Sequence, residues 1–184
     1  MNDYLTLIKL SANHRIKSFD CGNDDLNEFL FQDAIEHSKQ LLAITYLYEG
    51  QDYTKAYFSV LNDSIRIQDV KFKNRFKKIV LQYIPLRKRG YRSYPAVKVG
   101  RFAVNKDFHN KKVGTEIMDY IKVFFINKNK TGCRFIIVDA YRDAVGFYRK
   151  NGFNFLTEEN ETEDTRLMYF DLKLVGSSEQ VAIN

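Results

Sequence analysis

The residues best suited to bind a phosphate group lie where a strand is predicted to turn into a helix, within residues 96–127. The strand Ala96–Val104 contains an interior glycine, Gly100, which often marks a bulge or a close approach to the backbone. The turn Asn105–Asn110 leads into a helix that begins near Lys111. A helix N-terminus offers four unpaired N–H donors and a partial positive charge, so this segment can bind phosphate. Every junction of this kind offers the same donors, so the segment alone does not establish a function.

A mixed order of strands and helices must position this segment. Strands are predicted at Tyr4–Leu10, Leu41–Tyr48, Lys55–Leu61, Ala96–Val104, Arg134–Ala140, Phe153–Leu156 and Leu167–Leu174. Helices are predicted from Asp24 onward, over Val70–Tyr83, from about Lys111 to Asn127 and over Ala144–Lys150, where Gly152 suits the position after the helix end. This order predicts a single layered domain of the α+β or α/β class over residues 1–175, followed by a flexible tail at 176–184.

The composition excludes several classes of protein. A chain of 184 residues with 45% hydrophobic residues can bury a core without disulfide or metal support. No apolar run approaches the roughly 20 residues of a membrane span, and the first residues do not resemble a secretory signal, so we expect a cytoplasmic protein without membrane association. The two cysteines, Cys21 and Cys133, form neither a disulfide framework nor a zinc-ligand pattern, and no metal is expected.

The net charge of +6 is distributed unevenly along the chain. The basic segment Lys71–Arg92 contains nine lysines and arginines and no acidic residue, whereas Glu158–Asp164 contains five acids and no base. The basic segment is either a solvated flank or a surface that attracts a polyanion, such as nucleic acid or the phosphates of a cofactor. Charge alone does not separate these two interpretations.

Three motifs resemble those of the GNAT superfamily of N-acetyltransferases. Val99–Val104 followed by His109–Gly114 is similar to the acetyl-CoA-binding motif, whose usual pattern is Gln/Arg-x-x-Gly-x-Gly/Ala. Here Gly114 matches the last position, while His109 replaces Gln/Arg and Lys112 replaces the middle glycine. Lys112 therefore puts a Cβ atom where the family usually lets the backbone approach a diphosphate.

The other two motifs extend the resemblance to roughly residues 15–175, in the family's order. One is Ala144-x-x-Phe147-Tyr148-x-x-x-Gly152-Phe153, which is similar to the signature after the fifth strand. The other is Phe19-x-Cys21-Gly22-x-x-x-Leu26-x-x-Phe29-Leu30-x-x-x-Ala34. It resembles the N-terminal helix of a GNAT subgroup that includes toxins acetylating aminoacyl-tRNA.

The resemblance implies a GNAT-like fold: a central mixed, mostly antiparallel sheet flanked by helices, with strands four and five splayed apart. It implies acetyl-CoA as the acyl donor. The backbone of Phe102, Ala103 and Val104 would then bind the pantetheine arm as an added strand does. The diphosphate would be held by the amides of His109, Asn110, Lys111, Lys112, Val113, Gly114 and Thr115.

The resemblance also assigns catalytic roles. Tyr148 would donate a proton to the coenzyme A sulfur, although a half-buried packing role for this aromatic ring stays open. The N–H of Val104 would stabilise the oxyanion. The predicted strand Ala96–Val104 contains no carboxylate to act as general base, and His109 is expected at the phosphates instead. An acceptor α-amine, with a pKa near 7.7–8.0, therefore fits better than a lysine side chain, unless a water or another carboxylate serves as the base.

Several functions remain open at this level. The main prediction is an N-acetyltransferase that transfers the acetyl group to a primary amine of an unidentified small molecule, peptide or protein by direct attack. A second is toxin-like acetylation of the α-amine of aminoacyl-tRNA, with Lys71–Arg92 contacting RNA phosphates. A third is a non-catalytic acyl-CoA-binding module, and a fourth is a pure nucleic-acid-binding protein. Both a monomer and a homodimer are compatible with the sequence.

Overall fold

A computed structural model of the protein describes residues 6–66, 70, 92–127, 131–156 and 164–175. Within these residues, seven strands form one sheet in the order β1-β2-β3-β4-β5-β7-β6. The strands are β1 (Thr6–Lys9), β2 (Ile44–Glu49), β3 (Thr54–Arg66), β4 (Ser93–Val104), β5 (Phe135–Tyr141), β6 (Asn154–Phe155) and β7 (Thr165–Asp171). The helices are α1 (Asp24–Glu28), α2 (Ala34–Lys39), α3 (Val113–Asn127) and α4 (Val145–Lys150). A π-helical segment, Phe29–Asp33, joins α1 to α2.

The sheet is mixed and mostly antiparallel. β1 pairs antiparallel with β2 and β2 with β3, while β7 pairs antiparallel with both β5 and β6. The β4–β5 pair is parallel, and helices flank the sheet. This arrangement confirms the fold class predicted from the sequence. The opening between the fourth and fifth strands stays a prediction.

The chain divides into two compact units, each with its own apolar cluster. The first unit is Met1–Leu61 with Val99–Tyr120, and the second is Asn62–Lys98 with Ile121–Asn184. The cluster of the first unit consists of Leu10, Phe19, Cys21, Phe29, Leu30, Ala34, Leu47, Tyr57 and Ala103. The cluster of the second consists of Ile65, Val70, Tyr94, Ala96, Phe135, Ile137, Leu156 and Tyr169. The prediction of one domain over residues 1–175 stays a prediction, and 176–184 lie outside the described residues.

Local signals explain where the N-terminal helices begin and end. Asn23 caps α1 by accepting a hydrogen bond from the Leu26 N–H at 3.1 Å. The negative charges of two aspartates in the first turn stabilise the helix by interacting with the positive end of its dipole. After α2, the N–H groups of Leu41 and Leu42 donate to the carbonyls of Ser38 and His37. This pair of bonds is the Schellman motif, which completes a helix C-terminus. No helix in the described part of the chain is long and apolar enough to cross a membrane.

The starts of β2 and β4 differ from the prediction. β2 begins at Ile44 instead of Leu41, because Leu41 and Leu42 belong to the C-terminal motif of α2. β4 begins at Ser93 and includes Pro95, which lacks an N–H but accepts a hydrogen bond from the Arg134 N–H at 2.9 Å through its carbonyl. Of the helix predicted at 70–83, only Val70 lies within the described residues.

Candidate active site

The last residues of β4 lead directly into the predicted phosphate-binding turn. Ala103 is buried in the apolar cluster of the first unit, while Phe102 and Val104 are half-buried. Gly100 has a neighbour within its own chain: an added Cβ atom would lie 2.9 Å from Cδ2 of Leu61. The close approach that an interior glycine predicts is therefore made by a leucine of β3.

The turn after β4 is held by an asparagine that the sequence analysis did not single out. Asn105 donates its N–H to the Lys55 carbonyl at 2.9 Å and its side-chain amide to the Thr54 carbonyl at 3.3 Å. Its Oδ1 accepts the Asp107 N–H at 3.2 Å, which caps the 3-10 turn Lys106–Phe108. An asparagine followed two residues later by the backbone amide it captures is a recognisable Asx turn, so this signal was present in the sequence.

His109 contacts the end of the strand through its side chain. Its Nε2 lies 2.8 Å from the carbonyl oxygen of Val104. A carbonyl only accepts hydrogen bonds, so Nε2 must carry the hydrogen. In the neutral ring Nδ1 is then the nitrogen that can accept a proton. The expectation that His109 is not a general base stays a prediction.

The turn enters α3 through two residues with left-handed backbone conformations. Asn110 has a φ of 60° and Lys112 a φ of 62°. Asparagine tolerates this region, but a lysine there carries a steric cost that a glycine would not. The backbone at Lys112 thus keeps the conformation that suits the glycine of the family motif, with a side chain added.

The first turn of α3 presents unpaired amides. Its first helical hydrogen bond runs from the Glu116 N–H to the Lys112 carbonyl at 3.1 Å. The N–H groups of Val113, Gly114 and Thr115 precede that bond, and none has an acceptor among the described residues. Unpaired donors at a helix N-terminus are the arrangement that binds phosphate, so these residues fit a diphosphate.

Tyr148 lies on α4 in the second unit and is 6% exposed. The rings of Phe147 and Phe153 contact its ring edge to face, with centroids 5.2 and 5.4 Å away. Burial raises the pKa of Tyr148 well above its usual range, because the phenolate would lose its hydration. The phenol is therefore protonated at neutral pH, and its hydroxyl has no hydrogen-bond partner among the described residues.

β4 contains no Asp or Glu, as the sequence predicts. An acid on the neighbouring strand was missed: Asp139 of β5 forms an ion pair with Lys98 of β4, with Oδ2 and Nζ 2.5 Å apart. The side chain of Asp139 is 42% exposed. Its pairing with Lys98 could not be predicted, because the two residues are brought together only by the parallel pairing of their strands.

A family model described as an acetyltransferase (GNAT) domain matches residues 70–174. The chain belongs to the GNAT family of acetyltransferases. Family membership confirms the resemblance stated from the motifs, and it confirms an acyl-CoA-dependent N-acetyltransferase that uses acetyl-CoA. No curated protein matches the sequence significantly.

Several solved structures share the fold of this GNAT chain. AtaT complexed with acetyl-methionyl-tRNAfMet is 21% identical, with a TM-score of 0.71 over 95% of this chain and 99% of its own. AtaTR bound with acetyl-CoA is 20% identical, with a TM-score of 0.70 over 97% of this chain and 99% of its own. A tyrosine-to-phenylalanine variant of KacT is 21% identical, with a TM-score of 0.71 over 95% of this chain and 98% of its own.

The predicted site residues of this GNAT chain fall in both units. The strand end and the turn, residues 102–115, form one continuous stretch of the first unit, whereas Tyr148 belongs to the second. Among the described residues, no group of three or more His, Cys, Asp or Glu side chains could hold a metal ion. Of the basic segment Lys71–Arg92, only Arg92 is described, and most of the acidic stretch at 158–164 also lies outside the described residues.

Proposed function

We propose that this GNAT enzyme acetylates the α-amine of aminoacyl-tRNA. The observation that carries the proposal is its likeness, along 95% of the chain, to AtaT complexed with acetyl-methionyl-tRNAfMet. Two features of the chain support it independently. The Lys71–Arg92 segment is suited to RNA phosphates, and β4 lacks the carboxylate that would deprotonate a lysine-type amine.

Acetyl-CoA supplies the acetyl group as an activated thioester, and the first unit offers donors for its diphosphate. The unpaired N–H groups of Val113, Gly114 and Thr115 would bind the diphosphate, together with those of Asn110 and Lys112. The His109 and Lys111 N–H groups, which the sequence also assigned to the diphosphate, donate instead to the Lys106 and Phe108 carbonyls, at 3.1 and 3.4 Å. The charges of Lys111 and Lys112, both exposed, add to that field.

The pantetheine arm would lie along the end of β4. The backbone groups of Phe102, Ala103 and Val104 would bind it as an added strand binds a sheet edge. The Val104 N–H would stabilise the thioester oxygen as negative charge develops there. The hydrogen bond from His109 to the Val104 carbonyl would hold this peptide in place.

Tyr148 would act as the proton donor. Attack of the neutral acceptor amine forms the C–N bond and breaks the C–S bond, and the phenol gives its proton to the departing sulfur. The excess proton on the nitrogen then leaves to restore the phenol, directly or through water. Because burial raises the Tyr148 pKa, the phenol stays protonated throughout the neutral range but gives up its proton less readily, so the donor must act at short distance.

The pH dependence of the reaction follows from these assignments. An α-amine with a pKa of about 7.7–8.0 becomes neutral, and therefore nucleophilic, as the pH rises through that value. We expect kcat/KM to rise from pH 6 and to level off above about pH 8.5. The raised Tyr148 pKa predicts no fall from phenol ionisation below about pH 10. A fall in kcat/KM between pH 7 and pH 9 would contradict the assignment of Tyr148.

Thiol release from acetyl-CoA, measured against a panel of acceptors, tests the proposal. The panel contains aminoacyl-tRNA, the same tRNA uncharged, N-formylated aminoacyl-tRNA, a free amino acid amide and a lysine peptide. We expect turnover with aminoacyl-tRNA and none with the uncharged or N-formylated forms, which lack the α-amine. Equal rates on the lysine peptide and on aminoacyl-tRNA at neutral pH would favour a general amine acetyltransferase instead. Binding of acetyl-CoA without turnover on any acceptor would favour a non-catalytic module.

A further inference from the structure

The N-terminal motif Phe19–Ala34 has no part in the acetyl transfer described so far. It lies in the first unit, as does the turn between β4 and α3. One residue of the motif, Asp20, contacts that turn directly. No local sequence pattern predicts this contact, because 86 positions separate Asp20 from its partner, Lys106.

Asp20 contacts Lys106 twice. Its Oδ2 lies 2.7 Å from Nζ of Lys106, and its backbone carbonyl accepts the Lys106 N–H at 2.8 Å. A side-chain ion pair and a backbone hydrogen bond between the same two residues fix both their separation and their orientation. The hydrogen bond from the Lys106 side chain is the main reason that the pKa of Asp20 lies well below its usual range.

The other oxygen of Asp20 ties the contact to the N-terminal motif. Oδ1 accepts hydrogen bonds from the Gly22 N–H at 2.8 Å and from the Asn27 side-chain amide at 3.0 Å. Asn27 in turn accepts the N–H of Cys21 at 3.0 Å through its Oδ1. Cys21 is buried in the apolar cluster of the first unit, so the Asp20 carboxylate is anchored to the core.

Lys106 is the first residue of the turn, and the hydrogen bonds of the following residues depend on its position. It opens the 3-10 turn Lys106–Phe108, and its carbonyl accepts the His109 N–H at 3.1 Å. His109 then contacts the Val104 carbonyl, and three residues later Lys112 begins the hydrogen bonding of α3. A displacement of Lys106 would therefore move the amides that follow it.

We propose that Asp20 is a positioning residue, which holds Lys106 and thereby the amides that bind the acetyl-CoA diphosphate. This inference rests on the proposed acetyl-CoA site, and it gives the N-terminal motif a role in donor binding. Asp20 itself touches no reacting atom. Its effect is transmitted through the turn from Lys106 to Lys112.

Whether neutralising Asp20 weakens or strengthens acetyl-CoA binding distinguishes positioning from simple electrostatics. Asp20 is an acid near a site for an anion, so a bystander carboxylate would weaken donor binding and its neutralisation would strengthen it. Positioning predicts the opposite: Asp20→Asn weakens binding of acetyl-CoA, by roughly fivefold for the loss of one coupling between contacting residues. The matched control is Glu36→Gln, which neutralises an exposed acid paired with Lys39 on α2.

The experiment measures two donors with each variant. Acetyl-CoA contains the diphosphate, whereas S-acetylpantetheine lacks it, so only acetyl-CoA reports on the amides of the turn. For Asp20→Asn we expect a higher Kd and KM for acetyl-CoA, a smaller change in kcat, and a smaller loss of kcat/KM for S-acetylpantetheine, since His109 also links the turn to the Val104 peptide. Lys106→Met should give the same pattern, the double variant should be no worse than Lys106→Met alone, and Asp20→Glu should restore part of the affinity. If Asp20→Asn does not fold, Asp20→Glu carries the test, because it keeps the negative charge and changes only the geometry of the contact with Lys106.

Two results would overturn the inference. One is unchanged or tighter binding of acetyl-CoA by Asp20→Asn, and the other is an equal loss with both donors, which indicates general damage to the fold. Failure of the proposed function gives a different result, since the parent protein would then bind no acetyl-CoA.

Discussion

Tyr148 combines a buried ring with a hydroxyl group that has no hydrogen-bond partner among the described residues. A packing role would need only the ring, whereas proton donation needs the hydroxyl. The substitution Tyr148→Phe keeps the ring and removes the hydroxyl, so it separates the two roles. The high pKa of Tyr148 does not distinguish the two roles, because both are compatible with a protonated phenol.

We expect Tyr148→Phe to lower kcat by at least about 100-fold, which is the usual loss when a general acid is removed. The Kd for acetyl-CoA should change less than twofold, because the proposed diphosphate contacts lie within residues 109–115. Single-turnover kinetics and calorimetry measure the two quantities. Tyr94→Phe is the control, since Tyr94 is also buried in the second unit, at 5% exposure, and should keep parental kcat. A kcat within threefold of the parent for Tyr148→Phe would leave only the packing role.

Lys112 presents a second question at this scale, because its φ of 62° carries a cost for any residue with a Cβ atom. We expect Lys112→Gly to be more stable than Lys112→Ala by about 1 kcal/mol, since both remove the charge but only glycine removes the strain. Urea denaturation measures the difference. At Lys111, where φ is not positive, the order should reverse, with alanine the more stable. The same order at both positions would show that strain at Lys112 is not the cause.

At the scale of elements, the same C-terminal motif closes two helices with different residues. After α4, the N–H groups of Gly152 and Phe153 donate to the carbonyls of Arg149 and Tyr148, and Gly152 has a φ of 83°. After α2, Leu41 occupies the equivalent position with a φ of 58°. Glycine is the residue that this position favours, so α4 follows the usual rule and α2 does not.

We expect Leu41→Gly to stabilise the protein by about 1 kcal/mol, because the change removes strain at a side chain that is 92% exposed and buries little apolar surface. Gly152→Ala should destabilise the protein by at least about 1 kcal/mol, for two reasons. The added Cβ atom would lie 3.1 Å from the Phe170 ring, and the positive φ is unfavourable for alanine. The free energy of unfolding in urea measures both. A loss of stability in Leu41→Gly would mean that the exposed leucine contributes contacts outside the described residues.

These two motifs also explain why some boundaries were predicted and others were not. Gly152 carries its conformational preference in the sequence, so the end of α4 was correctly placed. Leu41 is apolar and gives no sign of a helix end. The predicted strand therefore began at Leu41 and overlapped the C-terminal motif of α2. The order and type of the strands were recovered because their apolar residues repeat at the periods of strands and helices. The contacts of Asp20, Asp139 and His109 depend on tertiary packing, which periodicity does not describe.

At the scale of the whole molecule, the charge distribution implies that the two substrates of the proposed reaction are bound by different kinds of group. Acetyl-CoA would be bound largely by backbone amides near residues 109–115, whereas tRNA would be bound largely by the side chains of the Lys71–Arg92 segment, of which only Arg92 lies within the described residues. Binding through many phosphate contacts depends steeply on salt, because each contact releases a counterion. The affinity of the two substrates should therefore respond differently to ionic strength.

We expect the logarithm of kcat/KM for aminoacyl-tRNA to fall linearly with the logarithm of salt concentration, with a slope steeper than that for acetyl-CoA. Replacing Arg87, Lys88 and Arg89 with glutamine should reduce the magnitude of that slope by roughly 2, because three phosphate contacts are lost. The Kd for acetyl-CoA should not change in this variant. Lys39→Gln is the control, since it removes an exposed base that is paired with Glu36 on α2. An unchanged tRNA slope in the triple variant would exclude these residues from the RNA-binding surface, while leaving the acetyl-CoA site and its chemistry intact.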